Sequence, residues 1–332
     1  MPPSCIKSTA NLPSKPSASI TYTFYPPPQP GPLLLVFLNG LLLPASGWVP
    51  TISSLHALHP SPPAILTYDR YGQASSDPHP SDVAAGGPGH HHDVLGAAHD
   101  LAELLDCVAA KHGLGLQGSP PIRLVLAANS IGCALARLFA QRCCRGRPTR
   151  WRVAALLLLD SIMANSDFVC IWPDPDAASF DPRRDLAEGV TPALLRATRE
   201  KYRAVFHPDV VNVEGLSRRN LAQLLPRADA PKLGGEEGEE GPYVTVVGHD
   251  PEEFARQSEE SSMKTPRIFS VAYTNPCWAK YNEVLVQITG PSRRRGPLIA
   301  PNAGHFIQKD NPNFIATEIN HLLSKFPTEK SS

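Results

Sequence analysis

The segment LVLAANSIGCALAR, residues 124–137, constrains the fold more than any other part of the chain. Its first residues are continuously apolar, which is typical of a strand buried on both faces, whereas the residues after Ser130 favour a helix. Ala128 lies two residues before Ser130, and Gly132 lies two residues after it. A strand that turns sharply into a helix leaves no room for larger side chains at those two positions. The segment therefore predicts a serine presented at a tight strand–turn–helix corner.

Strands and helices alternate along most of the chain. The apolar and alternating patterns predict strands at residues 18–25, 32–38, 64–68, 124–127, 153–159, 243–247 and 297–300, and helices at residues 46–58, 93–112, 131–140, 275–288 and 314–326. Strands that alternate with helices form a mostly parallel sheet that is covered on both faces. The predicted fold class is therefore α/β, with a mostly parallel central sheet flanked by helices.

Residues 161–241 interrupt this alternation. They contain charged helical stretches and the acidic run GGEEGEEG at 234–241, but no apolar run typical of a buried strand. We therefore predict an inserted helical cap with an acidic loop at residues 161–241, between core segments 18–160 and 242–332. Residues 1–17 are expected to form a flexible N-terminal tail.

Charge and cysteine content narrow the range of partners. The 31 basic and 31 acidic residues give a formal net charge of zero, which favours neither nucleic acid nor an anionic membrane. No apolar run is long enough to cross a bilayer, and residues 1–19 lack the apolar core of a secretory signal. Seven scattered cysteines fit neither a disulfide framework nor a zinc site. We expect a cytoplasmic protein with reduced thiols, no metal and no membrane span, and a homodimer stays open.

Four reactive side chains follow predicted strands. Ser130, Asp160, Asp250 and His305 come at or shortly after strand ends. Catalytic groups of parallel sheets collect at the carboxyl ends of the strands, so a nucleophile, an acid and a base are expected at one edge. A serine hydroxyl needs a base such as His305 to accept its proton, and a carboxylate must orient the imidazole. Either aspartate can supply that carboxylate.

Four motifs in this order resemble those of the α/β-hydrolase fold. Asn39-Gly40 looks like the family's His-Gly after the third strand, and residues 69–75 (DRYGQAS) look like its Asp-Arg-x-Gly-x-Gly-x-Ser. Residues 128–132 (ANSIG) look like its Gly-x-Ser-x-Gly, and residues 303–306 (AGHF) look like its Ala-Gly-His-Phe. The chain departs from the family pattern where Asn39 replaces the histidine and Ala128 replaces the first glycine. The resemblance covers nearly all of residues 18–326, and it is greatest to cap-bearing hydrolases of fungal secondary metabolism.

The resemblance implies a triad of Ser130, His305 and one aspartate. The backbone N–H groups of Ile131 and Leu41 would form the oxyanion hole. Most members carry the acid where Asp250 stands, after Gly-x-x, whereas this chain has Gly-His-Asp and a long interval to His305. Certain lipases and thioesterases carry the acid where Asp160 stands. Asp160 is therefore slightly preferred, and Asp250 stays open.

The implied activity is that of a serine hydrolase. It would cleave an ester, thioester or lactone of a hydrophobic small molecule through an acyl-enzyme, without a cofactor, and the mainly apolar cap favours such a substrate. Two alternatives stay open, namely a non-hydrolytic lyase or cyclase that uses the same Ser-His pair, and a catalytically silent ligand-binding protein. His249 is a competing candidate for the base, and Arg70 is expected to be an ion-pair partner behind the site.

Overall fold

The structure is a computed structural model, and it describes residues 3–115, 120–145, 150–234 and 241–326. Most of the predicted acidic loop, residues 235–240, lies outside the described residues.

Ten strands occur in the described residues: β1 Ile6–Leu12, β2 Lys15–Tyr25, β3 Leu33–Leu38, β4 Ala64–Tyr68, β5 His92–Asp93, β6 Ile122–Asn129, β7 Trp151–Leu159, β8 Leu216–Ser217, β9 Tyr243–Gly248 and β10 Arg294–Ile299. Eight of them form one sheet in the order β1-β2-β4-β3-β6-β7-β9-β10. The pairs β1/β2 and β2/β4 are antiparallel, and the remaining neighbours are parallel. The predicted α/β fold class with a mostly parallel sheet is confirmed.

The helices that accompany these strands are α1 Val49–Leu58, α2 Pro80–Ala84, α3 Val94–His112, α4 Ile131–Arg145, α5 Pro182–Asp185, α6 Pro192–Phe206, α7 Leu221–Leu224, α8 Pro251–Glu260, α9 Arg267–Phe269, α10 Asn275–Leu285, α11 Ile307–Asp310 and α12 Pro312–Leu323. Short 3-10 turns lie at residues 45–48, 286–288 and 291–293, and a π-helical turn lies at 270–274. No helix in the described part of the chain has the length and apolar character needed to cross a membrane.

The central strands are buried because helices cover both faces of the sheet. Along β3, Leu34, Val36 and Leu38 pack into a core with α3 and α4, whereas Leu35 and Phe37 pack into a second core with α1 and α12. Continuously apolar strands are thus required, since successive side chains point to opposite faces. This double burial fixes the strand ends at which the polar residues of the next section lie.

The N-terminal prediction was wrong. Residues 6–17 are not a flexible tail but form β1, the turn after it and the start of β2, as an antiparallel hairpin at the sheet edge. Most of β1 is exposed or half-buried, so it lacks the apolar alternation by which a strand is recognised in sequence.

The insertion between β7 and β9 contains α5, α6, β8 and α7. The expectation that it holds no buried strand was wrong, because the two residues of β8 are buried and pair with β5 of the core. A two-residue strand is too short to give a periodic signal in sequence. The boundaries of a cap remain a prediction.

Candidate active site

The turn between β6 and α4 presents Ser130 in a strained conformation. The φ of Ser130 is 56°, in the left-handed region that residues other than glycine rarely adopt. A Cβ atom at Gly132 would lie 2.5 Å from the Leu38 carbonyl oxygen, so only glycine lets α4 approach the end of β3 this closely. Ala128 is fully buried. Gly132 thus has the steric role that the sequence predicted.

Asp160 is hydrogen-bonded to His305 at the next strand end. Asp160 follows β7, is fully buried, and has a φ of 41°. Its Oδ2 lies 2.6 Å from Nδ1 of His305, whose side chain keeps about 24% of its surface exposed. Because Nδ1 is hydrogen-bonded to the carboxylate, Nε2 is the ring nitrogen that is available to exchange a proton.

Asn129 joins the serine turn to the histidine loop. Its side-chain amide donates to the backbone carbonyl of His305 at 3.0 Å and to that of Leu159 at 3.2 Å. Its Oδ1 accepts a hydrogen bond from Gln308. Because Asn129 directly precedes Ser130, these bonds fix the position of the His305 backbone relative to the serine.

Asp250 has different partners. Its Oδ1 accepts from the N–H groups of Glu252 and Glu253 at the start of α8, and its Oδ2 accepts from the N–H of Asn302. The two Oδ1 contacts are those of a helix N-cap. Of the two candidate acids, the structure therefore brings Asp160 together with His305 and engages Asp250 in capping.

His249 contacts the second oxygen of Asp160. Its Nδ1 lies 2.8 Å from Asp160 Oδ1, which also accepts the His249 backbone N–H at 3.2 Å. Burial alone would raise the pKa of Asp160, but His249 and His305 outweigh it and lower that pKa to about 2. Asp160 is therefore an anion at all physiological pH values.

The loop after β3 is held by a buried network of charged and polar groups. Arg70 donates to the carbonyl oxygens of Asn39 at 2.7 Å and Gly40 at 3.0 Å, and Gln73 also donates to Gly40. Glu214, from the insertion, accepts from Arg70 at 2.7 Å and from the Leu42 N–H at 3.0 Å. Arg70 thus has the ion-pair role that the sequence predicted.

This network orients the peptide between Gly40 and Leu41. The Gly40 carbonyl faces Arg70 and Gln73, so the Leu41 N–H of the same trans peptide points the opposite way. A Cβ atom at Gly40 would lie 3.3 Å from Cβ of Ser130, which places this loop against the serine turn. Ile131 is the first residue of α4, so its N–H has no acceptor within the helix.

A cavity of about 270 Å³ lies between the start of the insertion and residues 208–222. Its wall includes Ile162, whose N–H donates to the Ser130 carbonyl at 3.2 Å, and Phe168, which packs on Trp278. Trp278 in turn packs on the His305 ring, with 5.5 Å between ring centroids. Leu221 and Ala222 add apolar surface, whereas Asp167, Arg218 and Arg219 are charged. The cavity wall thus contacts Ser130 directly through Ile162, and it is connected to His305 through two ring contacts, Phe168 with Trp278 and Trp278 with His305.

Groups of three or more metal-ligating side chains are absent from the described ranges. The seven cysteines all lie within those ranges, and each has a free thiol.

A family model described as the alpha/beta hydrolase family matches residues 35–318. The chain belongs to the alpha/beta hydrolase family. A search of curated proteins finds none that matches the sequence. Among solved structures, a thermophilic esterase from Thermogutta terrifontis aligns with a TM-score of 0.54 at 17% identity, over 97% of this chain and 100% of the esterase. The epoxide hydrolase VrEH1 from Vigna radiata aligns with a TM-score of 0.51 at 12% identity, over 97% of this chain and 98% of that enzyme.

At such low identities these structures share the fold with this alpha/beta hydrolase, and family membership supports a hydrolase activity. The resemblance to fungal enzymes stays a prediction.

Sequence reasoning missed three contributors to this site. Glu214 lies in the insertion, far from every motif, and Asn129 occupies the variable position of the serine motif. His249 was considered as a base, but not as a second partner of Asp160.

Proposed function

We propose that this protein is a serine hydrolase with the triad Ser130, His305 and Asp160. The observation that carries the proposal is the 2.6 Å contact between Asp160 Oδ2 and His305 Nδ1, at the sheet edge where Ser130 occupies its strained turn. The buried carboxylate holds the imidazole in the tautomer that leaves Nε2 without a proton, as a general base requires.

The reaction proceeds in two stages. The Ser130 Oγ attacks the substrate carbonyl carbon while His305 Nε2 takes the hydroxyl proton, and the carbonyl oxygen becomes an oxyanion. His305 then gives the proton to the leaving group as the carbon–heteroatom bond breaks, which leaves an acyl-enzyme. Water, activated by His305, releases the acid and restores Ser130.

The oxyanion is stabilised by the N–H groups of Ile131 and Leu41. Support comes from the Ile131 N–H, which has no acceptor within α4, and from the Leu41 N–H, which points away from Arg70 and Gln73. Donors that are fixed before the reaction avoid reorganisation in the transition state, and one such donor is typically worth roughly a hundredfold to a thousandfold in rate.

The substrate is an ester, thioester or lactone of a hydrophobic small molecule. Ile162, Phe168 and Leu221 supply apolar walls to a cavity of about 270 Å³, which suits a compact acyl or alcohol group. The cationic side chains of Arg218 and Arg219 lie in the same cavity wall, and they suit a polar substituent on the substrate.

Labelling with a fluorophosphonate, followed by intact-mass measurement, tests the triad without a known substrate. Wild type is expected to gain one adduct, and Ser130→Ala none. Asp160→Asn is expected to label roughly a thousandfold or more slower because the His305 tautomer is lost, whereas the matched variant Asp250→Asn keeps a rate within a fewfold of wild type.

Equal slowing of the two aspartate variants would overturn the assignment of Asp160. A folded wild type without any adduct would overturn the serine-hydrolase mechanism. Ligand binding without turnover would then favour a silent binding protein, and turnover without an adduct would favour a lyase or cyclase.

A further inference from the structure

His249 is a second histidine on the buried carboxylate, and its surroundings decide its protonation state. Its side chain is about 5% exposed, and both ring nitrogens face oxygen atoms. Nδ1 lies 2.8 Å from Asp160 Oδ1, and Nε2 lies 3.2 Å from the side-chain oxygen of Asn275. A neutral imidazole has only one N–H, so it can donate to only one of these two oxygens.

The orientation of the Asn275 amide is fixed from its other end. Its Nδ2 donates to the Pro251 carbonyl at 2.9 Å. Turning the amide over would bring Oδ1 against that carbonyl oxygen, which is also an acceptor. The oxygen of Asn275 therefore faces His249, and both nitrogens of His249 must carry protons to donate.

The remaining neighbours also suit a cation. The ring stacks on Phe254 of α8 with 4.2 Å between centroids and meets Trp278 of α10 edge-on at 5.3 Å. Aromatic faces attract desolvated cations. Asp250, the next residue, adds a second negative charge beside the Asp160 carboxylate. Burial alone would lower the pKa of His249, but Asp160 and the hydrogen bonds outweigh it, so that pKa is raised above its usual 6.5.

We propose that His249 is held as a buried imidazolium on Asp160 and acts as a positioning residue that lowers the proton affinity of His305. The inference rests on the proposed function, in which His305 must be unprotonated to accept the serine proton. Asp160 is then balanced by one permanent cation, and a second proton on His305 would place two positive rings on one carboxylate. The repulsion between two such rings opposes that second proton.

Replacing His249 with asparagine removes the charge and keeps an N–H donor near the position of Nδ1. The loss of a positive charge this close shifts a protonation equilibrium by about one to two pH units. His305 should accordingly titrate at a pH about one to two units higher in His249→Asn than in wild type. The acid limb of the labelling rate against pH should move by the same amount.

Histidine-selective ¹⁵N NMR of the full chain tests the charge of His249 and its effect on His305, and it does not rely on turnover. In wild type, one histidine is expected to keep the two nearly equal ring-nitrogen shifts of an imidazolium well above pH 6.5, and His249→Asn should remove that signal. The His305 ring, assigned by its loss in His305→Asn, is then titrated in wild type and in His249→Asn. His79→Asn, a buried histidine in α2's N-cap, is the control and should leave both signals in place.

A neutral His249 ring at pH 7, or a His305 titration that is the same in wild type and His249→Asn, would overturn the inference. If His249→Asn does not fold, Asn275→Leu replaces it, because it removes the acceptor that requires the second proton and should shift His305 in the same direction. Failure of the proposed function would be seen separately, as absent fluorophosphonate labelling of a protein whose His249 is cationic.

Discussion

Replacement of Glu214 with glutamine is expected to destabilise the protein far more than a typical substitution of a glutamate in the insertion. The Glu214 side chain is fully buried, and every contact it makes is with a donor. Arg70 contributes two of these donors, at 2.7 and 3.3 Å, and the other two are the Gln73 amide and the Leu42 N–H, both at 3.0 Å. Glutamine has the same shape, but one of its two ends carries hydrogens. Either orientation of its amide therefore sets an NH₂ group against donors.

The substitution also leaves the Arg70 guanidinium, with about 5% of its side chain exposed, without a counter-charge. Removal of one partner of a buried ion pair costs about 3–5 kcal/mol. That is a large part of the roughly 5–15 kcal/mol by which proteins are stable. The melting temperature should fall on the order of 5–10 °C. Fluorophosphonate labelling should also slow, because Leu42 is released from its bond next to the proposed oxyanion hole.

Urea and thermal unfolding of Glu214→Gln, compared with Glu188→Gln, measure this effect. Glu188 is an exposed glutamate of the same insertion, and its loss is expected to change stability by less than about 0.5 kcal/mol. If Glu214→Gln and Glu188→Gln have the same free energy of unfolding, the buried network does not contribute the stability that its geometry indicates.

Three further perturbations test the serine turn and a buried histidine pair. Ser130→Gly should be more stable than Ser130→Ala by about 1 kcal/mol, because glycine adopts the φ of 56° without strain, and equal melting temperatures would contradict this. Gly132→Ala should cost at least about 2 kcal/mol, because its Cβ would lie 2.5 Å from a carbonyl oxygen, whereas Gly47→Ala has no atom within 4 Å and serves as control in the same urea experiment. His79 and His92 stack at 4.2 Å, and burial lowers the pKa of His79 to about 4 and that of His92 to about 3. Both pKa values in the folded protein lie below the unfolded value of 6.5. The free energy of unfolding is therefore highest above pH 6.5, and it falls by on the order of 2 kcal/mol per pH unit toward pH 4 as the unfolded state binds protons. The double substitution of both by asparagine should flatten that dependence, and an unchanged slope would exclude this pair as its source.

The order of strands and helices could be predicted because the central sheet is buried on both faces. Strand β3 is continuously apolar for that reason, and the helix after Asp93 begins at a side chain that caps the Gly96 N–H at 2.7 Å. The edge hairpin of β1 and β2 could not be recognised, because most of β1 is at least half-exposed and its pairing depends on backbone hydrogen bonds.

The candidate site was predictable only where local sequence fixes local structure. The elbow at Ser130 requires small neighbours, and this requirement is visible in the chain. Partners that meet through the tertiary fold leave no such mark, and Glu214 is 144 residues from Arg70. The choice between Asp160 and Asp250 is of the same kind, since both follow buried strands and only the fold shows that one caps a helix.

The position of the acid and the presence of His249 are physically linked. A carboxylate at the end of β7 is fully buried here, and both of its oxygens need donors because an unpaired buried charge is expensive. His305 is hydrogen-bonded only to Oδ2 of this carboxylate. The residue after β9, the strand that neighbours β7, reaches Oδ1, and His249 supplies both its N–H and its ring from there. A carboxylate at that position after β9 would instead face Asp160 with like charge. In this protein the buried carboxylate after β7 is therefore matched by a donor after β9, and the proposed positive charge of His249, which also faces the Asn275 oxygen, balances it.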